Sequence, residues 1–339
     1  MDLTTRRVGK TKLMVPTLGF GGAPLGGLFG AVDGIEAADT LTEAMDQGLR
    51  YVDTAPYYGF GRSERRVGDR LRGRDYVLST KVGRLLAPGS APDPAALGWP
   101  DALPFHPVYD YSYDGIMRSF EDSLQRLGLE RIDILYVHDI GTETHGADNE
   151  QHFKTLAQGG YRALEELRNS GRVKAIGLGV NETQICMDAL GIGDWDVFLL
   201  AGRYTLLEQA SVTDLLPACA ARGVSVVVGG PFNSGILVGG GTWNYGAAPD
   251  HILTKVRQLS DVCQDFGIAL AAAALQFPLG HDLVASVIPG LRDRHELAAT
   301  LDWARQYIPG EFWAVLKDKD LLHPDAPVPA TNPFTGGAL

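Results

Sequence analysis

Eight short apolar runs, rich in β-branched residues, recur along the chain and alternate with amphipathic stretches. Strands that are apolar without alternation are buried on both faces, as in a parallel sheet. The intervening stretches have helical spacing, and many end in glycine, as helices often do. The apolar runs occupy residues 17–20, 50–54, 76–81, 132–139, 173–179, 195–202, 224–230 and 283–290. Eight strand–helix units predict an α/β fold of the (β/α)8 TIM barrel type.

A doubly wound sheet is the alternative architecture for alternating strands and helices. Its dinucleotide-binding fingerprint, G-x-G-x-x-G, requires a third glycine. That position is Pro24 in one candidate segment and Glu182 in the other. Both candidates fail, which favours the barrel.

Four segments lie outside the repeat. Residues 1–16 are predicted to form an N-terminal β-hairpin that turns at Gly9 and Lys10. Residues 84–113 and 230–251 are predicted to be long loops after the third and seventh strands, at the C-terminal face where barrels bind substrates. Residues 324–339 have the composition of a surface arm. We expect a single domain over residues 1–339.

Composition and charge exclude several classes of function. The chain has 339 residues, is 45% hydrophobic and carries a net charge of −11, without a run of Lys or Arg. Nucleic-acid binding is not expected, because phosphate contacts need a concentrated basic surface. Membrane insertion is not expected, since no apolar run approaches the roughly 18 residues of a span. The N-terminus lacks the apolar core of a signal peptide, so we expect a cytoplasmic protein.

The spacing of cysteine and histidine predicts no metal site. The three cysteines lie far apart in apolar helical patterns, which favours buried inert thiols. His145 and His152 lack ligand companions at a suitable spacing. The esterase motif G-x-S-x-G fails at Ser234, because Phe232 replaces its first glycine.

Polar residues stand at the ends of three consecutive predicted strands. Asp53 closes the second strand, Lys81 the third and His138 the fourth, and Tyr58 lies in the loop after Asp53. Each residue alone is typical of a turn or of a satisfied polar group. In a barrel, however, neighbouring strand ends share one rim, so these side chains are expected to converge.

The four groups suit proton transfer to or from a carbonyl or alcohol oxygen. A free tyrosine has a pKa of about 10, and a nearby ammonium stabilises the phenolate and lowers that value. We expect Lys81 to act on Tyr58 in this way, with Asp53 orienting the lysine and His138 binding the reacting oxygen. A hydride must move at the same time, and no side chain supplies one. A nicotinamide cofactor is therefore implied.

Several segments carry a resemblance to a known family. They are "DTAPYYGFGRSE", "STKVG", "DILYVHD", "GLGVNE" and "VIPG". Their combination and order resemble the aldo-keto reductase superfamily over nearly the whole chain. The resemblance implies a (β/α)8 barrel and a catalytic tetrad of Asp53, Tyr58, Lys81 and His138.

The resemblance also implies contacts to the cofactor. Asn181 matches the family's carboxamide contact, and Ser234 and Gly235 match its backbone contacts to the pyrophosphate. The aromatic residue that commonly stacks on nicotinamide is Gly229 here, and the usual glutamine after the sixth strand is Ala201. Either Phe232 or Trp243 is a candidate to replace the missing ring. Further candidate contacts are Gly21, Pro289 and Gly290.

The segment after the eighth strand bears on the choice between NAD and NADP. Many NADP-using relatives carry a lysine and an arginine there, whereas this chain has Gly290 and Glu296. A carboxylate repels the 2′-phosphate of NADP, although Arg292 and Arg294 lie nearby. NAD is favoured over NADP.

Two further segments point to one branch of the superfamily. "FLLAGRYTLLEQ" and "GGPFNSGIL" resemble the branch that contains L-fucose and D-threo-aldose 1-dehydrogenases, with L-galactose dehydrogenase and pyridoxal 4-dehydrogenase close by. This resemblance implies oxidation of an aldose at C1 to the lactone, with Tyr58 as general base. Candidate residues for a sugar site are Trp99, His106, Arg203 and Trp243, with Phe105, Tyr109 and Phe232 as additional rings.

Other functions stay open at this point. Pyridoxal 4-dehydrogenase and general aldehyde reductase activities are alternatives within the enzyme class. A cofactor-binding regulatory subunit is the alternative of another class, since some superfamily members are redox-sensing partners of channels. The expected partner is a small sugar or aldehyde, and a homo-oligomer is left open.

Overall fold

The computed structural model describes residues 1–335 and contains a barrel of eight parallel strands, which confirms the predicted fold class. The eight strands pair in chain order, and parallel bridges from Leu18 to Val287 and from Gly21 to Gly290 join the first strand to the last. In chain order, the strands found within this range are β1 Thr5–Arg7, β2 Met14–Pro16, β3 Phe20–Gly21, β4 Tyr51–Asp53, β5 Val77–Val82, β6 Arg84–Pro88, β7 Phe105–Tyr109, β8 Ile134–His138, β9 Ala175–Val180, β10 Val197–Ala201, β11 Ser225–Gly229, β12 Thr242–Trp243, β13 Gly246–Ala247 and β14 Val284–Ile288.

Helices pack around the outside of the barrel. They begin and end with the expected signals: Asp33 accepts hydrogen bonds at the start of the first long helix, and Gly128, in the left-handed conformation, ends the third. The helices are α1 Gly34–Asp46, α2 Arg62–Leu71, α3 Tyr113–Leu127, α4 Thr142–His145, α5 Asn149–Thr155, α6 Tyr161–Asn169, α7 Thr183–Leu190, α8 Leu215–Arg222, α9 Asp250–Asp265, α10 Leu270–Gln276, α11 Arg294–Arg305 and α12 Gly310–Asp318.

The apolar strands are buried on both faces. In β8, Ile134 and Tyr136 belong to a cluster inside the barrel, whereas Leu135 and Val137 belong to the layer between the barrel and the helices. This arrangement explains why the strand reads as a continuous apolar run. The N-terminal hairpin of β1 and β2 contributes Val15 and neighbouring side chains to the interior cluster. It therefore closes the bottom of the barrel.

Both segments predicted as long loops contain short strands. In 84–113, β6 and β7 pair antiparallel, from Arg84 opposite Tyr109 to Pro88 opposite Phe105. In 230–251, a short helical segment precedes the β12–β13 hairpin. The prolines of the first segment and the glycines of the second hide these pairings from a reading of the sequence. Each segment extends from the C-terminal end of its barrel strand.

The described part of the C-terminal segment packs against the barrel rather than projecting from it. Phe334 is fully buried, and its carbonyl accepts a hydrogen bond of 2.8 Å from the Thr4 amide. Residues 336–339 of the predicted arm lie outside the described range.

Residues 1–335 contain neither a single helix suited to span a membrane nor a cluster of side chains suited to bind a metal. No single helix there has the length and apolarity of a membrane span, and α9 with the segment to Gly280 meets that test only as a pair bent by 102°. The same residues hold no cluster of three or more His, Cys, Asp or Glu side chains placed to bind a metal.

Candidate active site

Three neighbouring barrel strands bring Asp53, Lys81 and His138 to one rim. The strands β4, β5 and β8 are adjacent, and each carries its polar residue at or next to its C-terminal end. The Lys81 ammonium donates to Asp53 Oδ2 at 2.6 Å and to the Thr54 carbonyl at 2.9 Å. Ser79 donates to the other carboxylate oxygen of Asp53 at 2.6 Å. Asp53 and Lys81 therefore form a buried, hydrogen-bonded ion pair.

Tyr58 lies beside this ion pair on the turn that follows β4. Its ring centre is 4.7 Å from Lys81 Nζ and 6.0 Å from the His138 ring, which meets it edge-on at 84°. The turn is held by a close approach between two glycines, because a Cβ on Gly59 would lie 2.2 Å from the Gly26 carbonyl oxygen. Gly59 also has a φ of 63°, which glycine adopts without strain.

The electrostatics of Tyr58 differ from the expectation drawn from the sequence. Burial raises the pKa of Tyr58 well above its ordinary value, and the Asp53 carboxylate raises this pKa further. The expected lowering by Lys81 does not dominate, because Asp53 lies 2.6 Å from the ammonium and the phenol faces a nearly neutral pair. Tyr58 is therefore a protonated phenol at neutral pH in this structure.

His138 is a neutral imidazole. Burial, followed by the charges of Arg84 and Lys81, lowers its pKa well below the ordinary value. Its Nδ1 has no hydrogen-bond partner among residues 1–335, and its Nε2 lies 3.5 Å from Asp139 Oδ2. A neutral imidazole can donate to, or accept from, an oxygen placed next to Tyr58.

The four groups border two connected cavities at the mouth of the barrel. Tyr58, Lys81 and His138 line a cavity of about 460 Å³, here called the catalytic cavity. Asp53 and Tyr58 also line a second cavity of about 250 Å³, here called the glycine cavity. Both cavities share Asn181 and Tyr245, so they form one continuous cleft.

The glycine cavity fits the phosphates of a dinucleotide. Its wall includes backbone from six glycines and the side chains of Asn181, Asn233 and Ser234. The absence of side chains at the glycines leaves peptide groups open to a ligand. At Gly290 there is also little room for a side chain, because a Cβ would lie 3.0 Å from Pro24 Cγ. The chain's own residues therefore suit a dinucleotide cofactor, with Asn181 as a side chain that could bind an amide group of it.

The cofactor contacts predicted from the sequence are only partly brought together. Gly21, Asn181, Ser234 and Gly290 line the glycine cavity. Gly235 and Pro289 are chain neighbours of lining residues and are not part of the wall. Phe232 is not at the cleft, because its ring packs on Trp303 at 5.6 Å.

Arg292, Arg294 and Glu296 lie at the start of α11, outside both cavities. Glu296 accepts a 2.8 Å hydrogen bond from the Arg292 amide, and Arg294 forms a two-pronged ion pair with Glu36 of α1, at 3.2 Å for both contacts. The carboxylate of Glu296 thus occupies a backbone donor that would otherwise suit a phosphate. Arg294 has its charge balanced by Glu36.

Of the predicted substrate residues, Trp99 alone lines the catalytic cavity. Trp243 donates its indole N–H to Glu208 at 3.0 Å, so its ring anchors the β12–β13 hairpin instead. Arg203 donates to Asn244 at 2.9 Å and pairs with acidic neighbours. His106, which lies on β7, has its Nδ1 atom 3.0 Å from the carbonyl oxygen of Gly89. None of these three residues is among those that line the two cavities, so the structure does not bring them together with Trp99.

Reasoning from the sequence missed several lining residues, among them Tyr245, Arg84 and Asp139. Tyr245, at the tip of the β12–β13 hairpin, lines both cavities, and its hydroxyl lies 3.5 Å from Asn181 Nδ2. Arg84 and Asp139 line the catalytic cavity as an ion pair of 3.2 Å. Arg84 follows the strand that carries Lys81, and Asp139 follows His138. This proximity in the chain is the signal that could have identified them.

Comparison with known proteins settles the family. The model of the Aldo/keto reductase family matches residues 17–320, nearly the whole chain. The chain belongs to the aldo/keto reductase family. It is similar to pyridoxal 4-dehydrogenase of Microbacterium luteolum, with 46% identity over 333 residues, 94% of this chain and 97% of the relative. It is also similar to D-threo-aldose 1-dehydrogenase of Pseudomonas sp, with 38% identity over 336 residues, 95% of this chain and 99% of the relative.

A solved structure agrees in fold. The holo form of an aldo-keto reductase from Bacillus halodurans superposes with a TM-score of 0.72 at 24% identity, covering 98% of this chain and 99% of the other. The family and the named dehydrogenases make this aldo/keto reductase a nicotinamide-dependent oxidoreductase that acts on a small molecule.

Proposed function

We propose that this aldo/keto reductase oxidises a cyclic hemiacetal, an aldose at C1, to the corresponding lactone. The observation that carries the proposal is the continuous cleft in which Tyr58, Lys81 and His138 border the same cavity as Asn181. That cavity, of about 460 Å³, has room for a single sugar ring. The name of the 38% identical relative, an aldose 1-dehydrogenase, supports this substrate class.

Each of the four candidate catalytic groups has a separate role in this proposed reaction. The ionised form of Tyr58, a phenolate, takes the proton of the anomeric hydroxyl and becomes the neutral phenol, while neutral His138 holds the same oxygen by a hydrogen bond. Lys81 favours this phenolate before the transfer, and Asp53 keeps the ammonium charged and fixed at 2.6 Å. A bound oxidised nicotinamide would supply the hydride acceptor. Asn181 would hold its carboxamide group, and Ser234 and the glycines its phosphates.

We propose NAD as the preferred cofactor. Glu296 accepts from the Arg292 amide at 2.8 Å, so a carboxylate already occupies a backbone donor in the segment on which the choice between NAD and NADP is expected to depend. Arg294 is already paired with Glu36. Both contacts disfavour an added phosphate by charge.

Pyridoxal is the second candidate substrate, because the 46% identical relative is a pyridoxal 4-dehydrogenase. Pyridoxal also forms a cyclic hemiacetal. The aromatic side of the catalytic cavity, with Tyr57, Trp99 and Phe29, suits a planar ring.

The test is a substrate screen that follows NADH absorbance, with L-fucose, L-galactose, D-arabinose and pyridoxal. Lactone formation from an aldose with NAD is the expected result. The Tyr58→Phe variant should lose about 10²- to 10⁴-fold in kcat, the usual contribution of a general acid or base. Turnover limited to aldehyde reduction with NADPH would refute the proposal, as would an undiminished Tyr58→Phe variant.

A further inference from the structure

We propose that Arg84 and Asp139 form a substrate clamp that binds the hydroxyl group nearest the reacting carbon. The inference rests on the proposed oxidation of a cyclic hemiacetal and adds the residues that recognise the rest of the substrate. Below, "the clamp" means Arg84 and Asp139 together.

The clamp lies next to the catalytic groups in the chain and in space. Arg84 follows Lys81 after a turn at Gly83, whose φ of 92° only glycine adopts readily. Asp139 directly follows His138. Both members of the clamp line the catalytic cavity with Tyr58.

The contacts of the clamp leave donors unused. Arg84 Nη2 lies 3.2 Å from Asp139 Oδ2, but Arg84 Nε and Nη1 have no hydrogen-bond partner among residues 1–335. The guanidinium stacks over the ring of Tyr57, with its Cζ 4.1 Å from the ring centre. This stacking fixes its plane without satisfying its N–H groups.

Stability does not explain this arrangement. The Arg84 side chain is only 6% exposed, and a buried ion pair gains little over apolar packing while unpaired buried donors cost free energy. Asp139 also has a φ of 42°, a strained backbone conformation for a residue other than glycine. Strain and unsatisfied groups concentrate at binding sites. Because Arg84 lines the catalytic cavity, a ligand bound there is the source from which these donors could gain an oxygen partner.

The charges of the cavity wall indicate which kind of ligand group would bind to the clamp. Lys81 is balanced by Asp53, Arg84 is balanced by Asp139, and His138 is neutral. The wall therefore has no net charge with which to attract an anion. It offers a donor and an acceptor side by side, which suits a neutral hydroxyl that can both accept and donate.

The test compares each substrate with an analogue that lacks this hydroxyl. An aldose is paired with its 2-deoxy form, and pyridoxal with 3-deoxypyridoxal, so that the two arms distinguish the two sources of the same group. In the wild type, removal of the hydroxyl should lower kcat/KM about 10- to 100-fold, as expected for a hydrogen bond to a charged group. In Arg84→Met/Asp139→Asn, the natural substrate and its deoxy analogue should react within about threefold of each other.

Controls separate recognition from folding. Asn tolerates the left-handed backbone of position 139, so Asp139→Asn alone is expected to fold and to lose part of the preference for the hydroxyl. Leu97→Ala changes the same cavity at an apolar side chain and should keep the full wild-type preference. Circular dichroism monitors folding in each case.

The outcomes are distinct. If the wild type oxidises one substrate and Asp139→Asn and the double variant keep the full preference for the hydroxyl, the clamp is wrong and the proposed function stands. If the wild type oxidises neither aldoses nor pyridoxal, the proposed function fails, and the clamp fails with it. Binding of a 1,5-anhydro sugar, which lacks the reacting hydroxyl, to the enzyme with NAD supplies a readout without turnover. Calorimetry should show weaker binding in Asp139→Asn than in the wild type, whereas Leu97→Ala should keep the wild-type ratio of affinities between this sugar and its 2-deoxy form.

Discussion

The buried ion pair between Lys81 and Asp53 makes a strong prediction for Asp53→Asn. Both side chains are almost inaccessible, 2% and 4% exposed, and the charged atoms are 2.6 Å apart. At an effective dielectric constant of about 20, Coulomb's law gives about 6 kcal/mol across that distance. The asparagine keeps a neutral hydrogen bond, so the expected loss is about 3–5 kcal/mol, as for other broken buried pairs.

The measurement is urea unfolding followed by tryptophan fluorescence, with five tryptophans in the chain. The midpoint for Asp53→Asn should fall strongly, because Lys81 is left buried without a counter-charge. The double variant Asp53→Asn/Lys81→Met carries no buried charge at this position and should regain part of the lost stability. Both variants should lose at least about 10²-fold in kcat, because the proton-transfer group is no longer supported.

Two results would refute this reasoning. An Asp53→Asn protein with the wild-type midpoint would mean that the charges do not interact across the short distance. A double variant less stable than Asp53→Asn would mean that packing, and not the unpaired charge, causes the loss.

Three more outcomes follow from the geometry of the site. Burial and Asp53 raise the pKa of Tyr58, so below this pKa the fraction of Tyr58 in the base form increases about tenfold for each pH unit. The oxidation rate should therefore rise from pH 7 to pH 9. A flat pH profile would argue against Tyr58 as the base. Glu296→Arg should raise the affinity for NADP relative to NAD at least about tenfold by calorimetry, because it replaces a repulsive charge with an attractive one, and an unchanged ratio would exclude Glu296 from cofactor selection. Tyr245→Ala should weaken NAD binding about tenfold, measured by fluorescence quenching, whereas Tyr245→Phe keeps the ring and should keep most of the affinity for NAD. Equal NAD affinities in the two variants would contradict a contact through the ring.

The barrel and the positions of three candidate catalytic groups could be predicted because they follow from local patterns. Apolar runs without alternation indicate strands buried on both faces, and consecutive parallel strands bring their ends to one rim. Asp53, Lys81 and His138 each stand at such an end, so their proximity follows from strand order alone.

The acidity of Tyr58 could not be predicted in this way. Its pKa depends on how deeply the ring is buried and on whether Asp53 cancels the charge of Lys81, and neither quantity is visible in the sequence. The prediction that Lys81 lowers this pKa considered one neighbour of the phenol and omitted its burial.

The walls of the cleft were predicted least well, because they come from the two long segments. Trp243 was selected for its ring, yet its indole N–H is fixed by Glu208 and the neighbouring Tyr245 reaches the cleft instead. The turn at Asn244 and Tyr245, both with positive φ, decides which ring points inward. That choice is a property of the folded hairpin and not of its composition.

The joint between the first and last barrel strands ties ligand binding to the integrity of the cylinder. Strand β3 is two residues long, and its hold on β14 consists of isolated bridges with few hydrogen bonds, such as Gly21 N–H to the Pro289 carbonyl at 2.8 Å. Gly21 on one edge and Ile288 and Gly290 on the other all face the glycine cavity. A ligand bound in the glycine cavity would contact both β3 and β14 and would stabilise this weakly paired junction of the barrel. The ligand-free protein is therefore the form in which the junction is expected to open most readily.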